Sequence, residues 1–125
     1  MSVKTSLSRS TCGVILAHLR TLRMNLATAR NALLHFKVDR VDRDKLEPAA
    51  RRVDELMNLF AGDLRDPEQG LLFIGEIQSG VEEVTNPKAA DALREARDNI
   101  EVLIKALQDA APGGGPAPLK LWSSA

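Results

Sequence analysis

Apolar residues recur at alternating three- and four-residue steps through two long segments of the chain. The first set is Ile15, Leu19, Leu22, Leu26, Ala29, Leu33 and Phe36. The second set is Ala89, Leu93, Ala96, Ile100, Leu103, Leu107 and Ala110. A mean step of about 3.5 residues places each set on one side of an α-helix that packs against other helices. The pattern therefore predicts a helix bundle.

The first half of the chain predicts two of its helices. The first helix is expected to run from about residue 10 to about residue 37, and the charged residues 37–45 are expected to connect it to the second. Asp42 or Asp44 would then cap the second helix, because a short acidic side chain accepts hydrogen bonds from exposed backbone N–H groups. Pro48 would lie in the first turn, where a missing N–H is tolerated.

The second half of the chain contains clear stop and start signals. Gly62 is expected to end the second helix. Asp66-Pro67 and Asn86-Pro87 each combine a capping side chain with a proline at the first helical position. These signals predict a third helix after residue 66 and a fourth helix that runs to about residue 111.

The third helix is the least regular of the four. Glycines interrupt its apolar pattern at Gly70, Gly75 and Gly80. Each interior glycine costs about 1 kcal/mol of helix propensity, so residues 71–77 could instead form a short strand. No partner strand is visible elsewhere in the sequence, and a helix is therefore the prediction.

Four helices joined by short connections favour antiparallel neighbours. We therefore expect an all-α fold, a four-helix antiparallel (up-down) bundle over residues 10–111. Residues 1–9 would form an N-terminal arm. Residues 112–125 would form a flexible Gly/Pro linker and a short C-terminal tail, since the run Pro-Gly-Gly-Gly-Pro-Ala-Pro cannot pack as a regular element.

Composition agrees with one soluble domain that has an aliphatic core. Hydrophobic residues make up 44% of the 125 positions and aromatic residues only 3%. The single cysteine, Cys12, excludes an intrachain disulfide and continues the first apolar set, so it is expected to be buried. No run of about 18 apolar residues is present. We therefore expect a cytoplasmic protein with no membrane contact, no metal site and no small-molecule cofactor.

Charge is balanced over the whole chain but divided unevenly along it. Residues 1–38 hold six basic residues and no acid, whereas residues 53–91 hold nine acids and two bases. A column on the predicted first helix contains the cations Arg9, Arg23, Arg30 and Lys37, and Arg20 lies nearby. These cations could pair with the acidic later helices, or they could bind a polyanion such as nucleic acid.

One short motif resembles a known family. The segment Arg30-Asn31-Ala32-Leu33-Leu34-His35 has an arginine, a following polar residue, and a histidine after four intervening positions. This spacing resembles the Arg-x(4–6)-His motif of HEPN-domain ribonucleases, which are also small helical bundles. The resemblance implies RNA cleavage by Arg30 and His35 at a dimer interface.

Several apolar residues have no place in the predicted core. Leu119, Leu121 and Trp122 follow the Gly/Pro linker, and Leu16 and Leu34 lie beside the main apolar set of the first helix. A tethered segment with a tryptophan anchor is typical of docking onto a protein groove. An apolar surplus also favours self-association.

The sequence as a whole predicts a non-enzymatic module for protein–protein interaction: an adaptor, an inhibitor or a small subunit of a larger assembly. It would bind a protein partner, or a second copy of itself, through helix faces and the C-terminal tail. One alternative is a nucleic-acid-associated protein that uses the basic first helix. The other is a HEPN-like ribonuclease.

Overall fold

The structure, a computed structural model, describes residues 9–33, 37–62 and 66–110. Four α-helices account for most of them: α1 (Arg9–Ala32), α2 (Lys37–Ala61), α3 (Pro67–Glu82) and α4 (Ala90–Ala110). A single 3-10 turn, Pro87–Ala89, leads into α4. The described ranges contain no strand, so the predicted all-α fold is confirmed.

The helices pack as a closed square. α1 contacts α2 and α4, and α3 contacts the same two helices, so α1 and α3 lie on opposite sides of the bundle. Ion pairs reveal the chain directions: Arg23 on α1 meets Asp54 on α2, while the later Arg30 meets the earlier Glu47. Residue numbers therefore rise along α1 in the direction in which they fall along α2, so the two helices are antiparallel. The short connections predicted this arrangement.

The two predicted apolar sets form about half of the core, and apolar residues of α2 and α3 complete it. Every described member of the first set is fully buried, and Cys12 beside it is only 3% exposed. The second set is buried from Ala89 to Leu107, with Ala110 partly buried at its end. Full burial of one aliphatic side chain contributes about 1.5–3 kcal/mol, so these two seams account for much of the stability of the fold.

The predicted end of the first helix was wrong. α1 ends at Ala32, and a tight turn follows in which the Leu33 N–H donates to the Arg30 carbonyl at 3.1 Å. Phe36, the last member of the predicted seam, lies outside the described residues. Apolar spacing can continue across a connection, because a core residue is needed at the end of the bundle whether or not the chain there is helical.

The predicted connection over residues 37–45 was also wrong, because these residues form the first turns of α2. Charged residues of opposite sign stand four apart in this segment, as in Asp39 with Arg43, and such spacing favours a helix. Asp42 and Asp44 therefore lie inside the helix and do not cap it. Pro48 is likewise in the helix interior, on its exposed side.

The third helix is complete despite its glycines. The Asp66 side chain accepts a hydrogen bond from the Glu68 N–H at 3.0 Å, which confirms the predicted cap. Two glycines have a packing reason: a Cβ at Gly70 would lie 2.7 Å from the Phe60 ring, and one at Gly80 would lie 3.1 Å from Ala49. Glycine therefore allows α3 to approach its neighbours closely.

At one end of the bundle, polar side chains link the start of α2 to the connection between α3 and α4. Asp39, on the first turn of α2, is almost fully buried. Its carboxylate accepts hydrogen bonds from Lys88 Nζ at 2.7 Å and from the Asn86 amide at 3.0 Å. Asn86 also caps the turn before α4 by accepting from the Lys88 N–H, so its side chain serves both connections.

Candidate functional site

The solvent-facing side of α1 differs from every other surface of the bundle. Its residues are all exposed, and we call them the outer face of α1: Ser10, Gly13, Val14, Ala17, Arg20, Thr21, Met24, Ala27, Thr28 and Asn31. Small and uncharged side chains predominate, and α1 contains no carboxylate at all. Met24 is 69% exposed and Val14 is 56% exposed. This face is therefore unusually apolar for a helix side in contact with water.

Gly13 has no packing role within the described structure. A Cβ added there would meet nothing within 4 Å. A glycine in a helix interior is less favourable than alanine by about 1 kcal/mol, and the described fold has no close contact at this position that would require one. Gly13 thus contrasts with Gly70 and Gly80, whose missing side chains make room for neighbouring helices.

The outer face of α3 has the opposite character. Its exposed residues are Glu68, Leu72, Glu76, Ser79 and Glu82, and α3 contains no lysine or arginine. Leu72 is 59% exposed. α1 and α3 stand diagonally across the bundle, so an acid-free helix and a base-free helix face opposite directions.

The five basic residues predicted as a polyanion site have different surroundings. Arg23 pairs with Asp54 at 2.9 Å, and Arg30 approaches Glu47 at 3.6 Å. Arg9 and Arg20 are exposed and form no ion pair with any described residue. Lys37 begins α2 and does not belong to the column on α1. The predicted column is therefore partly neutralised by α2 and partly free.

A small surface pocket of about 190 Å³ opens between α1 and α2 near their connection. Its walls are formed by Ala27, Arg30, Asn31 and Arg43. The Nε atoms of Arg30 and Arg43 are buried, and neither has a hydrogen-bond partner. No carboxylate lines this pocket, although Arg30 also approaches Glu47 beside it.

Sequence reasoning missed Arg43 because residues 37–45 were assigned to a connection. The signal that could have found it is the pairing of opposite charges four residues apart, Asp39 with Arg43 and Arg40 with Asp44. That spacing is helical. Continuing α2 back to residue 37 would have placed Arg43 opposite Arg30 across an antiparallel pair.

A second depression, of about 400 Å³, lies between α2 and α3. It is lined by Pro48, Arg51, Arg52, Glu55 and Glu76. Arg52 is held on three sides: by the carboxylates of Glu55 and Glu76 and by the Phe73 ring, whose centre lies 4.7 Å from the guanidinium carbon. Because its charge is already satisfied, Arg52 serves to join α2 to α3.

Polar residues interrupt the apolar contact between α1 and α4. Asn25 is only 7% exposed, and its amide donates to Glu95 Oε2 at 3.1 Å. The Asn99 amide donates to Asn25 Oδ1 at 2.9 Å, and Asn99 Oδ1 lies 3.2 Å from His18 Nδ1. These four side chains form one connected network along the α1–α4 groove.

Other predicted site residues are only partly accounted for. Leu16 is partly buried and packs against the core, so little of its side chain is free for a partner. Leu34, His35, Leu119, Leu121 and Trp122 lie outside the described residues. His35 is one of these, so the pairing of Arg30 with His35 that resembles the HEPN motif stays a prediction.

Within the described ranges, no three His, Cys, Asp or Glu side chains cluster as a metal site would require. None of the helices there is both long enough and apolar enough to cross a membrane. No family model, curated protein or solved structure matches this chain.

Proposed function

We propose that this protein is a non-enzymatic interaction module whose outer face of α1 binds a helix of a protein partner. The observation that carries the proposal is Gly13, an interior helix glycine with open space around it. Small residues allow two helices to approach closely. A position that costs helix propensity and has no close neighbour in the fold is well suited to such an approach by a second molecule.

The chemistry of the outer face of α1 indicates which kind of partner surface would bind to it. Ala17 and Gly13 present little side chain, while Met24 is a flexible apolar group that adapts to irregular surfaces. Arg9 and Arg20 lie along the face without described acidic partners. The matching surface is therefore a helix with an apolar centre and acidic residues along its sides.

The chain itself carries such a surface on α3. Leu72 provides an exposed apolar centre, and Glu68 and Glu82 lie near the two ends of the helix. Two copies that met through α1 alone would place arginines against arginines, which is unfavourable. We therefore assign the partner as α3 of a second copy, in a head-to-tail contact between different faces.

One helix face is small for a stable interface. The outer face of α1 is about 32 Å long and 10 Å wide, roughly 300 Å², whereas each partner in a standard interface buries about 800 Å². The proposal therefore gives the apolar tail residues Leu119, Leu121 and Trp122 a second contact on the partner. Two linked contacts bind more tightly than either alone.

Native mass measured by sedimentation at increasing protein concentration tests the proposal. The mass should rise above that of a monomer below about 1 mM, a concentration that detects association worth about 4 kcal/mol. Met24→Glu and Leu72→Glu should each restore the monomer. Val41→Glu is the matched control, because Val41 is 57% exposed on α2 and belongs to neither face.

Mixing the two variants gives the decisive result. The Met24→Glu protein keeps its α3 face and the Leu72→Glu protein keeps its outer face of α1, so an equimolar mixture should form a one-to-one dimer. A contact between identical faces would instead leave one of the two variants self-associating on its own, and mixing would add no further dimer. A wild-type protein that stays monomeric throughout the concentration series, or a Val41→Glu variant that dissociates equally, would contradict the proposal.

A further inference from the structure

We infer that the pocket between α1 and α2 binds a phosphate-type oxyanion through Arg30 and Arg43. The inference rests on the surroundings of two guanidinium groups and does not require self-association, although Ala27 and Asn31 belong both to the pocket and to the outer face of α1. Both guanidinium groups are half-buried, and their Nε atoms have no acceptor. Two such cations beside one pocket whose lining has no carboxylate favour an anion there.

The rest of each arginine supports the same conclusion. Arg43 forms no ion pair or hydrogen bond with any described residue, and the approach of Arg30 to Glu47, at 3.6 Å, is longer than a hydrogen bond. Because both Nε atoms are buried, an anion in the pocket would meet the terminal nitrogens of the two arginines. The two terminal nitrogens of one guanidinium form a planar fork that fits two oxygens of a phosphate group. Arg43 has no described partner on this terminal fork, whereas one terminal nitrogen of Arg30 approaches Glu47.

The remaining wall of the pocket suits an anion. Asn31 adds an amide that can donate, and Ala27 adds only a methyl group, so the pocket contains no competing carboxylate. Its volume of about 190 Å³ accommodates a phosphate group together with ordered water. Glu47 is not part of the pocket lining and approaches Arg30 at 3.6 Å.

The ligand expected in this pocket is a tetrahedral oxyanion that offers two of its oxygens to one guanidinium group. Two sources could supply it: free inorganic phosphate, or the phosphodiester backbone of a nucleic acid. The test therefore has two arms, with inorganic phosphate followed by phosphorus NMR and an oligonucleotide without terminal phosphate followed by fluorescence anisotropy. Both arms use the Leu72→Glu background, which blocks the proposed self-association from α3 and leaves α1 and the pocket unchanged.

Three substitutions make the test specific. Arg43→Gln should weaken binding about tenfold or more, because it removes the fork and the charge together. Arg43→Lys keeps the charge without the fork and should weaken binding nearly as much. Arg20→Gln is the matched control, because it removes an exposed, unpaired cation from α1 outside the pocket, and it should change affinity less than about twofold.

Each outcome decides the inference. Binding of inorganic phosphate that Arg43→Gln and Arg43→Lys both weaken identifies a free-anion site. Binding of the oligonucleotide alone, weakened by the same two variants, identifies the phosphodiester backbone as the source. The inference is overturned by no binding of either probe, by full affinity in Arg43→Lys, or by equal losses in Arg20→Gln and Arg43→Gln. Circular dichroism confirms that each variant is folded.

Discussion

Single residues in this bundle have effects that depend on what surrounds them, and the glycines show it most clearly. Gly13 and Gly70 both lie inside helices and both lower helix propensity. Their surroundings are opposite, since a Cβ at Gly13 meets open space and one at Gly70 meets Phe60 and Leu107. The same substitution should therefore change stability in opposite directions at the two sites.

Gly13→Ala should raise the free energy of unfolding by up to about 1 kcal/mol, because alanine is the better helix former. Gly70→Ala should lower the free energy of unfolding by about 1–2 kcal/mol, because the cost of overpacking the core is larger than the gain in helix propensity. Urea unfolding at low protein concentration measures both values. Equal signs at the two positions would contradict this account, and on the function proposed above Gly13→Ala should also weaken self-association.

Asn25 is the residue at which the seam between α1 and α4 departs most from an aliphatic core. Asn25→Ala should destabilise the fold by about 1–2 kcal/mol, because it removes the hydrogen bonds that Asn25 accepts from the Asn99 amide and donates to Glu95. A double-mutant cycle with Asn99→Ala isolates the pair, and we expect a coupling energy of about 0.5–1.5 kcal/mol. A coupling near zero would mean that water replaces the contact at no cost.

At the scale of the element, local signals predicted some helix boundaries well and others poorly. Asp66-Pro67 and Asn86-Pro87 were read correctly because the cap and the proline act on the first turn of their own helix. The connection between α1 and α2 was misplaced because residues 33–37 contain no glycine or proline. The sequence there therefore offers no glycine or proline stop signal for the end of α1 at Ala32.

The start of α2 depends on a buried carboxylate. Asp39→Ala should lower the free energy of unfolding by about 2 kcal/mol, because it removes the acceptor for Lys88 and Asn86 and an acid from the first turn of α2. Asp44→Ala is the matched control, as Asp44 is exposed on the same helix and should change stability by less than about 0.5 kcal/mol. Similar losses in the two variants would assign the effect to helix propensity alone.

At the scale of the whole molecule, periodicity was sufficient for the architecture and insufficient for the surface. The two long seams predicted the core because burial selects apolar residues directly. The pocket between α1 and α2 could not be predicted in the same way. It needs Arg30 and Arg43 to meet across an antiparallel pair, and that requires the correct start of α2.

The tail provides a test of how complete the core is. Deletion of residues 112–125 should leave the midpoint of thermal unfolding within about 2 °C, because each helix of the described bundle already packs against two others. The same deletion should weaken the self-association proposed above. A large loss of thermal stability would mean that Trp122 packs against its own bundle.

Because α1 and α4 are antiparallel neighbours, the order of the helices along the chain can be changed. Arg9 and Ala110 stand at the same end of the bundle, on neighbouring helices. A short peptide could therefore link the last helix to the first, and new termini could be opened between α2 and α3. The resulting circular permutant should fold to the same bundle, because every helix keeps both of its neighbours.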